Sequence, residues 1–516
     1  MTLSLRAAQS QYRLAVLGAV ALLAATVAAA WVSWPLFIGA AAISLGFVAY
    51  SAQRWPLPTL MVSALFVLFD PVLLRTALPD RIDLGPIGAS EPMLAVSGVV
   101  IGIAAIRRGT FWDALRDPLL WLMSVFVAIS IVSAVVNRTP VPVALMGLVM
   151  TVDAIAVYFI ARMVPTTERQ ATRAITGVVA VALVAAVLGI LQVVLHPDLL
   201  GFASFAGRFG EGGRITSFLG NPNMLAAVVG FTLPFPLFAS RHLVTDRARW
   251  LAFGAVVVLC VALLLTFSRG AWLAVIIGLV VSLLVLDRRA LLTLIAAIAL
   301  AWLITIVVPR NLLVAEADLP LYFPESGGPS IIDSTMDRLD EVYERRDLRM
   351  RFIREGIPVV LDNPLLGVGP GRYGGAVSAI VPSPVYEQYD TGLYGFRTVH
   401  NFWLHLFGEV GLVGGLVFVV AIFELWARFV RAALAEADPQ RRTVLAGTAA
   451  AISVVTVNNV TEMIFEGNFP GFVVWVVIGI ASLLAPPLFL AGRQLGRGRP
   501  SAGSEASPTA RGRQTG

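Results

Sequence analysis

The chain has 516 residues, 58% of them hydrophobic and 14% charged, with a formal net charge of +6 and a mean hydropathy of +0.82. A soluble globule does not fit this composition, because lipid rather than a core must absorb so much apolar surface. The single cysteine, Cys260, lies in an apolar run, which removes disulfides and cysteine metal sites. Every basic residue is an arginine, and these fall in loops and a tail as membrane topology requires, so the charge calls for no nucleic-acid partner.

The expected fold is therefore all-α, a polytopic membrane protein of about 12–14 transmembrane helices. Apolar runs of roughly the 20 residues that a bilayer demands centre near Leu22, Ala42, Leu65, Val99, Phe126, Val149, Leu183, Gly230, Val257, Leu279, Ile298, Gly414, Ser453 and Val477. The first follows Arg6 and Arg13 and ends near Ala30, in imitation of a signal peptide. Another span follows almost at once, so the first reads as an anchor. Pro71 to Glu91 has room for a re-entrant piece. The expected domains are 1–308, with short loops between helices; 309–397, an extracytoplasmic loop domain; 398–492, the last helices; and 493–516, a Gly, Ser, Pro and Arg-rich tail that buries too little apolar surface to order itself. No internal repeat and no matched pair of broken helices is visible, which weighs against a secondary transporter.

Arginine asymmetry sets the orientation. With a cytoplasmic N-terminus, alternate connections carrying Arg54, Arg107, Arg108, Arg116, Arg162, Arg169, Arg173, Arg241, Arg247, Arg249, Arg288, Arg289, Arg428, Arg431, Arg441 and Arg442 are all inside, as is the tail. The opposite loops hold only Arg75, Arg81, Arg138, Arg208, Arg214 and Arg269, apart from the long segment 309–397, to which the rule does not apply. Both termini are then cytoplasmic.

Polar residues on that outer side carry the chemistry. In Gly207-Arg208-Phe-Gly-Glu-Gly-Gly213-Arg214, followed by Gly220-Asn221-Pro222-Asn223, glycines permit anion-binding nests, and Asn221 with Pro222 begins a helix whose positive end faces the loop. Arg214 completes a phosphate cradle, against the alternative of a flexible turn with an ordinary cap. Thr266-Phe-Ser268-Arg269-Gly270 is a tight turn between two apolar spans. Arg269 there either snorkels to headgroups or faces something anionic, and its position opposes the topological bias.

Within the long outer segment, Val314 to Pro329 reads as irregular, and an amphipathic helix is expected from about Ser334 to Leu361, stopped by Asn363-Pro364. A turn-rich stretch follows, with Arg372 and Tyr373 as candidate substrate contacts. The chain re-enters the membrane at Arg397-Thr-Val-His400-Asn401-Phe-Trp-Leu-His405-Leu-Phe-Gly-Glu409. His405 and Glu409 share a helical face and read as a structural pair, while His400 lies on another face at the border. Glu462, Glu466 and Asn468 in the last outer loop read as solvated residues, with sugar contacts as the alternative.

GRITSFLGNPNMLA from Gly213, TFSRGAW from Thr266, NPLLGVGPGRY from Asn363 and HNFWLHLFGEVGLVGG from His400 occur in this order in a many-span chain. In these motifs the chain resembles the superfamily of O-antigen ligases and O-antigen polymerases, over roughly Gly207 to Gly415. The resemblance implies a metal-independent, inverting glycosyltransferase without a cofactor. It would take oligosaccharide from a polyprenyl-diphosphate-linked donor, at the outer face of the bacterial cytoplasmic membrane, to a glycan, lipid or protein acceptor. By motif match it implies Arg214 and Arg269 as diphosphate contacts and His400 as the catalytic residue, with Arg208, Asn221, Asn223, Ser268, Arg372, Tyr373 and Asn401 as candidate substrate-binding residues.

Residue chemistry agrees with that implication. A departing diphosphate is an anion that bidentate arginines stabilise, and an attacking sugar hydroxyl needs a base titrating near neutrality, as histidine does. The rival class, a transporter or flippase of lipid-linked glycans, calls for polar residues at mid-membrane and no large outer domain.

Overall fold

The computed structural model describes residues 21–22, 25–26, 28–69, 90–194, 214–312, 348–378, 381–389, 398–466 and 470–485. Among them there are helices, turns and no strand. The protein is an all-α polytopic membrane protein. The helices are α1 (Trp34–Arg54), α2 (Pro56–Phe66), α3 (Ser90–Arg108), α4 (Thr110–Leu115), α5 (Pro118–Val136), α6 (Val141–Met163), α7 (Glu168–Val194), α8 (Pro222–Thr232), α9 (Pro234–His242), α10 (Asp246–Leu265), α11 (Arg269–Leu286), α12 (Arg288–Leu312), α13 (Leu348–Asp362), α14 (Pro384–Gln388), α15 (Phe402–Ala435), α16 (Pro439–Asn458) and α17 (Gly471–Ser482). Among the described residues, 10 segments are long and apolar enough to cross a membrane, with α8 and α9 counted as one, and α2 and α17 are shorter apolar helices.

Every expected span centre from Ala42 onward falls in one of these helices. Most of the Leu22 run, residues 71–89 of the 71–91 segment, Arg208, the irregular stretch 314–329, the first part of the amphipathic helix, Asn468 and the tail lie outside the described residues, while Ser90 and Glu91 begin α3. Local chemistry fixes where the helices begin. Asp117, Asn221 and Asp438 each precede a proline, and each side chain accepts a backbone N–H of the first turn, the cap-then-proline arrangement that satisfies an orphan donor and presets φ. Burial separates centre from periphery: 78% of the apolar window in Pro222–His242 is buried, against 17% in α1 and 22% in α12. The last two turn their apolar side chains to lipid.

Two ends of the bundle are distinguished by what they hold. At one end α15 begins, beside the start of α11 and the last turns of α10 and α16. At the other lies a buried ion network. Arg428 of α15 is fully buried and donates to Asp117 Oδ1 and Oδ2 at 3.0 Å and to both oxygens of Glu424. Tyr158 donates to Asp117 Oδ2 at 3.0 Å, and Arg162 lies 3.2 Å from the same oxygen. Arg428, read from sequence as an inner loop arginine, thus belongs to the helix interior. Two cations facing two carboxylates make this burial tolerable, since an unpaired charge here would be expelled.

The span that starts at Phe402 is broken. Gly411 has φ 67 and ψ −172 within α15, a region of backbone space open essentially to glycine alone. The break frees backbone groups at membrane depth, where water is absent and each must find a partner. Residues 363–369 supply them. Gly408 and Glu409 carbonyls accept the amides of Val368 and Gly369 at 2.8 and 2.9 Å, and the amide of Leu412 donates to the Pro364 carbonyl at 2.7 Å. Ser133 of α5 adds a hydroxyl bond to the Glu409 carbonyl. The stretch Asn363–Gly369 is therefore a structural insert that mends a helix, a role its turn-rich sequence did not announce.

Candidate active site

The motifs around Arg214, Arg269 and His400 lie at the end of the bundle where α8, α11 and α15 begin. Arg214 donates from Nε to the Thr266 carbonyl and from Nη2 to Asn223 Oδ1, both at 2.7 Å. The Asn221 side chain caps α8 by accepting the Asn223 amide at 2.8 Å. Arg214, Asn221 and Asn223 thereby form one bonded unit fastened to the turn before α11.

That turn sets Arg269. Phe267 adopts φ 50, Ser268 is buried at the N-cap position, and Arg269 is the first residue of α11, half-buried. A cation at a helix N-terminus opposes the helix dipole, so the arrangement concentrates positive potential of the kind that attracts anions. The next residue, Gly270, is packed so closely on the turn after α16 that an added Cβ would meet Thr461 Oγ1 at 2.3 Å.

The turn after α16 also touches His400. The Phe402 amide donates to the carbonyls of Asn459 and Glu462, and His400 Nδ1 lies 3.9 Å from Glu462 Oε2. His400 is exposed and takes φ 48, and Asn401 caps α15 by accepting the Leu404 amide at 2.9 Å. Arg138, Ser217, Phe267 and His400 are the positive-φ residues other than glycine among those described. All four lie between the long helices at this end, Ser217 opening a short 3-10 helix and the others in turns or bends, each storing backbone strain of about 1–3 kcal/mol. The structure thus links Arg214, Arg269 and His400 through the turns 266–270 and 459–462.

Beneath this surface lies a second, buried cluster. His405 Nδ1 is 2.6 Å from the Tyr373 carbonyl, and its Nε2 is 2.9 Å from Glu466 Oε1. Both ring nitrogens face acceptors, which is the pattern of an imidazolium. Glu409 Oε1 accepts the Tyr373 amide at 3.0 Å and sits 3.7 Å from His405. The expected His405–Glu409 pair is thus part of a larger cluster that anchors residue 373. Glu462 and Glu466, expected to be solvated, are both buried. The signal for them was two carboxylates in a short loop between apolar helices.

Candidate contacts in the outer segment divide. Arg372 is half-buried and donates to the carbonyls of Asn137 and Val368, tying the segment to the end of α5. Tyr373 has no exposed surface, and its ring packs against Gly408. Burial pushes its phenol above the ordinary range. It forms a small core with Phe352, Val359, Val385, Tyr386 and Val399. Arg208 lies outside the described residues.

An apolar cavity of about 490 Å³ runs between α11, α15 and α16, lined by residues that include Trp403, Phe407, Phe423, Trp426 and Val457. Trp403 stands at its upper end, immediately after Asn401 and Phe402, and donates its indole N–H to the Thr456 carbonyl at 3.0 Å.

Residues 254–419 match the family model described as O-antigen ligase. The match covers Arg269, the segment 309–397 and His400, and it stops short of Arg214 and of the 459–462 turn, which reach the matched region through the contacts above. No curated protein matches the chain.

Proposed function

We propose, for a chain whose residues 254–419 belong to the O-antigen ligase family, that it transfers or polymerises oligosaccharide from a polyprenyl-diphosphate-linked donor onto an acceptor glycan, lipid or protein at the outer face of the bacterial cytoplasmic membrane. The family match supports glycan transfer in general. The observation that carries the finer reading is the contact path joining Arg214, Arg269 and His400 at one end of the bundle. The outward orientation is supported by arginine asymmetry, because the end holding Arg54, Arg108, Arg249 and Arg288 is the one away from His400.

In this reading Arg214 and Arg269 bind the diphosphate and stabilise the charge it gains on departure, without needing a metal. Asn221, Asn223, Ser268, Arg372 and Asn401 line the approach to the same end. The imidazole of His400 accepts the proton of the acceptor hydroxyl as that oxygen attacks the anomeric carbon from the face opposite the diphosphate. The bond to the diphosphate oxygen breaks with its electron pair leaving on polyprenyl diphosphate, and the configuration inverts. The apolar cavity beside Trp403 is where we seat part of the polyprenyl chain.

The test is purified protein given polyprenyl-diphosphate oligosaccharide and an acceptor. Release of polyprenyl diphosphate is expected, with loss of release in His400→Ala and in Arg269→Ala of undiminished expression. Full activity in both variants would end the mechanism. Movement of the lipid-linked glycan across a bilayer with no release would instead mark a transporter. One block transferred separates a ligase from the ladder of a polymerase.

A further inference from the structure

We infer that Glu462 is the positioning residue of His400, fixing the ring so that Nε2 faces the acceptor hydroxyl. The inference rests on the transfer reading above and adds a partner that lies outside the family-matched residues. A histidine that accepts a proton at Nε2 must carry its own proton at Nδ1, and that tautomer is set by the group Nδ1 faces. Here that group is a carboxylate: Glu462 Oε2 lies 3.9 Å from Nδ1, while Nε2 makes a 3.4 Å approach to Thr398 Oγ1.

The two partners differ in freedom. The His400 side chain is 46% exposed and that of Glu462 8%. Glu462 is held on both sides by backbone: its amide donates to the Asn458 carbonyl at 3.0 Å, and its carbonyl accepts the Phe402 amide at 3.1 Å. The backbone that carries the carboxylate is therefore clamped to Phe402, two positions after His400. Its neighbour Thr461 presses on Gly270, next to Arg269. A separation of 3.9 Å exceeds a hydrogen bond, and a rotation of the exposed ring closes it, as contacts of this kind tighten when substrate binds. During transfer the proton passes from the acceptor hydroxyl to Nε2, the new glycosidic bond forms, and the diphosphate leaves with the electron pair of the bond it breaks. The imidazolium so formed is stabilised by the Glu462 carboxylate until the proton passes to water.

Steady-state release of polyprenyl diphosphate by the full chain tests this in wild type, Glu462→Gln, Glu462→Asp, His400→Ala and the double variant H400A/E462Q. The expected result is a kcat lowered about 10–100-fold in E462Q, the size typical of a partner that orients a working side chain. The donor KM should stay within about twofold, and E462D should recover part of the rate. The double variant should be no slower than H400A, because residues acting as a unit are not additive. Wild-type kcat in E462Q beside an inactive H400A would overturn the inference and leave the transfer reading standing, as would a further loss in the double variant. If E462Q does not yield a monodisperse protein, E462D and H400A/E462D decide by the same comparison. A fully active H400A would remove His400 as the base and this inference with it, whereas a wild type that releases no polyprenyl diphosphate would sink the transfer reading itself.

Discussion

Leu412 donates its amide to the carbonyl of Pro364 at 2.7 Å, across a helix break made by the residue just before it. An added Cβ at Gly411 would stand 2.3 Å from the Leu365 carbonyl carbon, in a backbone conformation that alanine avoids. Gly411→Ala is expected to lose about 1–3 kcal/mol to strain alone, and more if residues 363–369 are displaced. Gly254→Ala, with nothing within 4 Å of its Cβ, should leave the midpoint of thermal unfolding in detergent unchanged. Equal midpoints for the two variants would remove the interlock.

The Arg428 network makes a contrasting pair. Arg428→Met strands Asp117 and Glu424 without their shared cation, and a buried pair broken on one side costs about 3–5 kcal/mol. Folded yield should collapse. Arg116→Ala removes an ion pair to Asp113 whose side chains are 76% and 74% exposed, and its cost should stay below about 1 kcal/mol. Fluorescence-detected size exclusion of the two variants reads the difference.

Arg214 bonds through two different nitrogens, Nε to Thr266 and Nη2 to Asn223. Lysine has a single ammonium and cannot reproduce that fork. Arg214→Lys is expected to lower kcat about 100-fold, the size of losing one preorganised donor to a developing anion, with the protein still folded. A lysine variant at wild-type rate would remove Arg214 from the diphosphate site.

Tyr373 offers a test in the opposite direction. Its hydroxyl is buried without a hydrogen-bond partner among the described residues. Tyr373→Phe should keep full transfer activity and gain up to about 1 kcal/mol of stability, since it removes an unsatisfied polar group. A large fall in activity would return Tyr373 to the substrate contacts.

Much of this architecture was legible in the sequence because a bilayer leaves few choices: a span must be long and apolar, and its polar caps stand out against it. Asn221 was visible as a cap signal for that reason, as was the stop of α13 just before Asn363-Pro364; the cap made by Asn401 was not read. Arg214, Arg269 and His400 were visible because they interrupt apolar text. What could not be read depends on contacts between distant residues. Ser133 meets the Glu409 carbonyl across 276 positions, and neither local pattern suggests the other. The same holds for Arg428 with Asp117 and for His400 with Glu462. Hydropathy alone marked the Gly411 region as one continuous span. Its only hint of a break was the crowding of Gly408, Gly411, Gly414 and Gly415.

The mended break also dictates an order of assembly. The amide of Leu412 and the carbonyls of Gly408 and Glu409 bond to residues 363–369 across the break, and hydrocarbon offers no substitute for those partners. The Phe402 span cannot settle in lipid as an autonomous unit during synthesis. It must be received by a cradle already built from α5 and the loop that precedes it, so residues 363–369 act as a template for the insertion of what is translated after them.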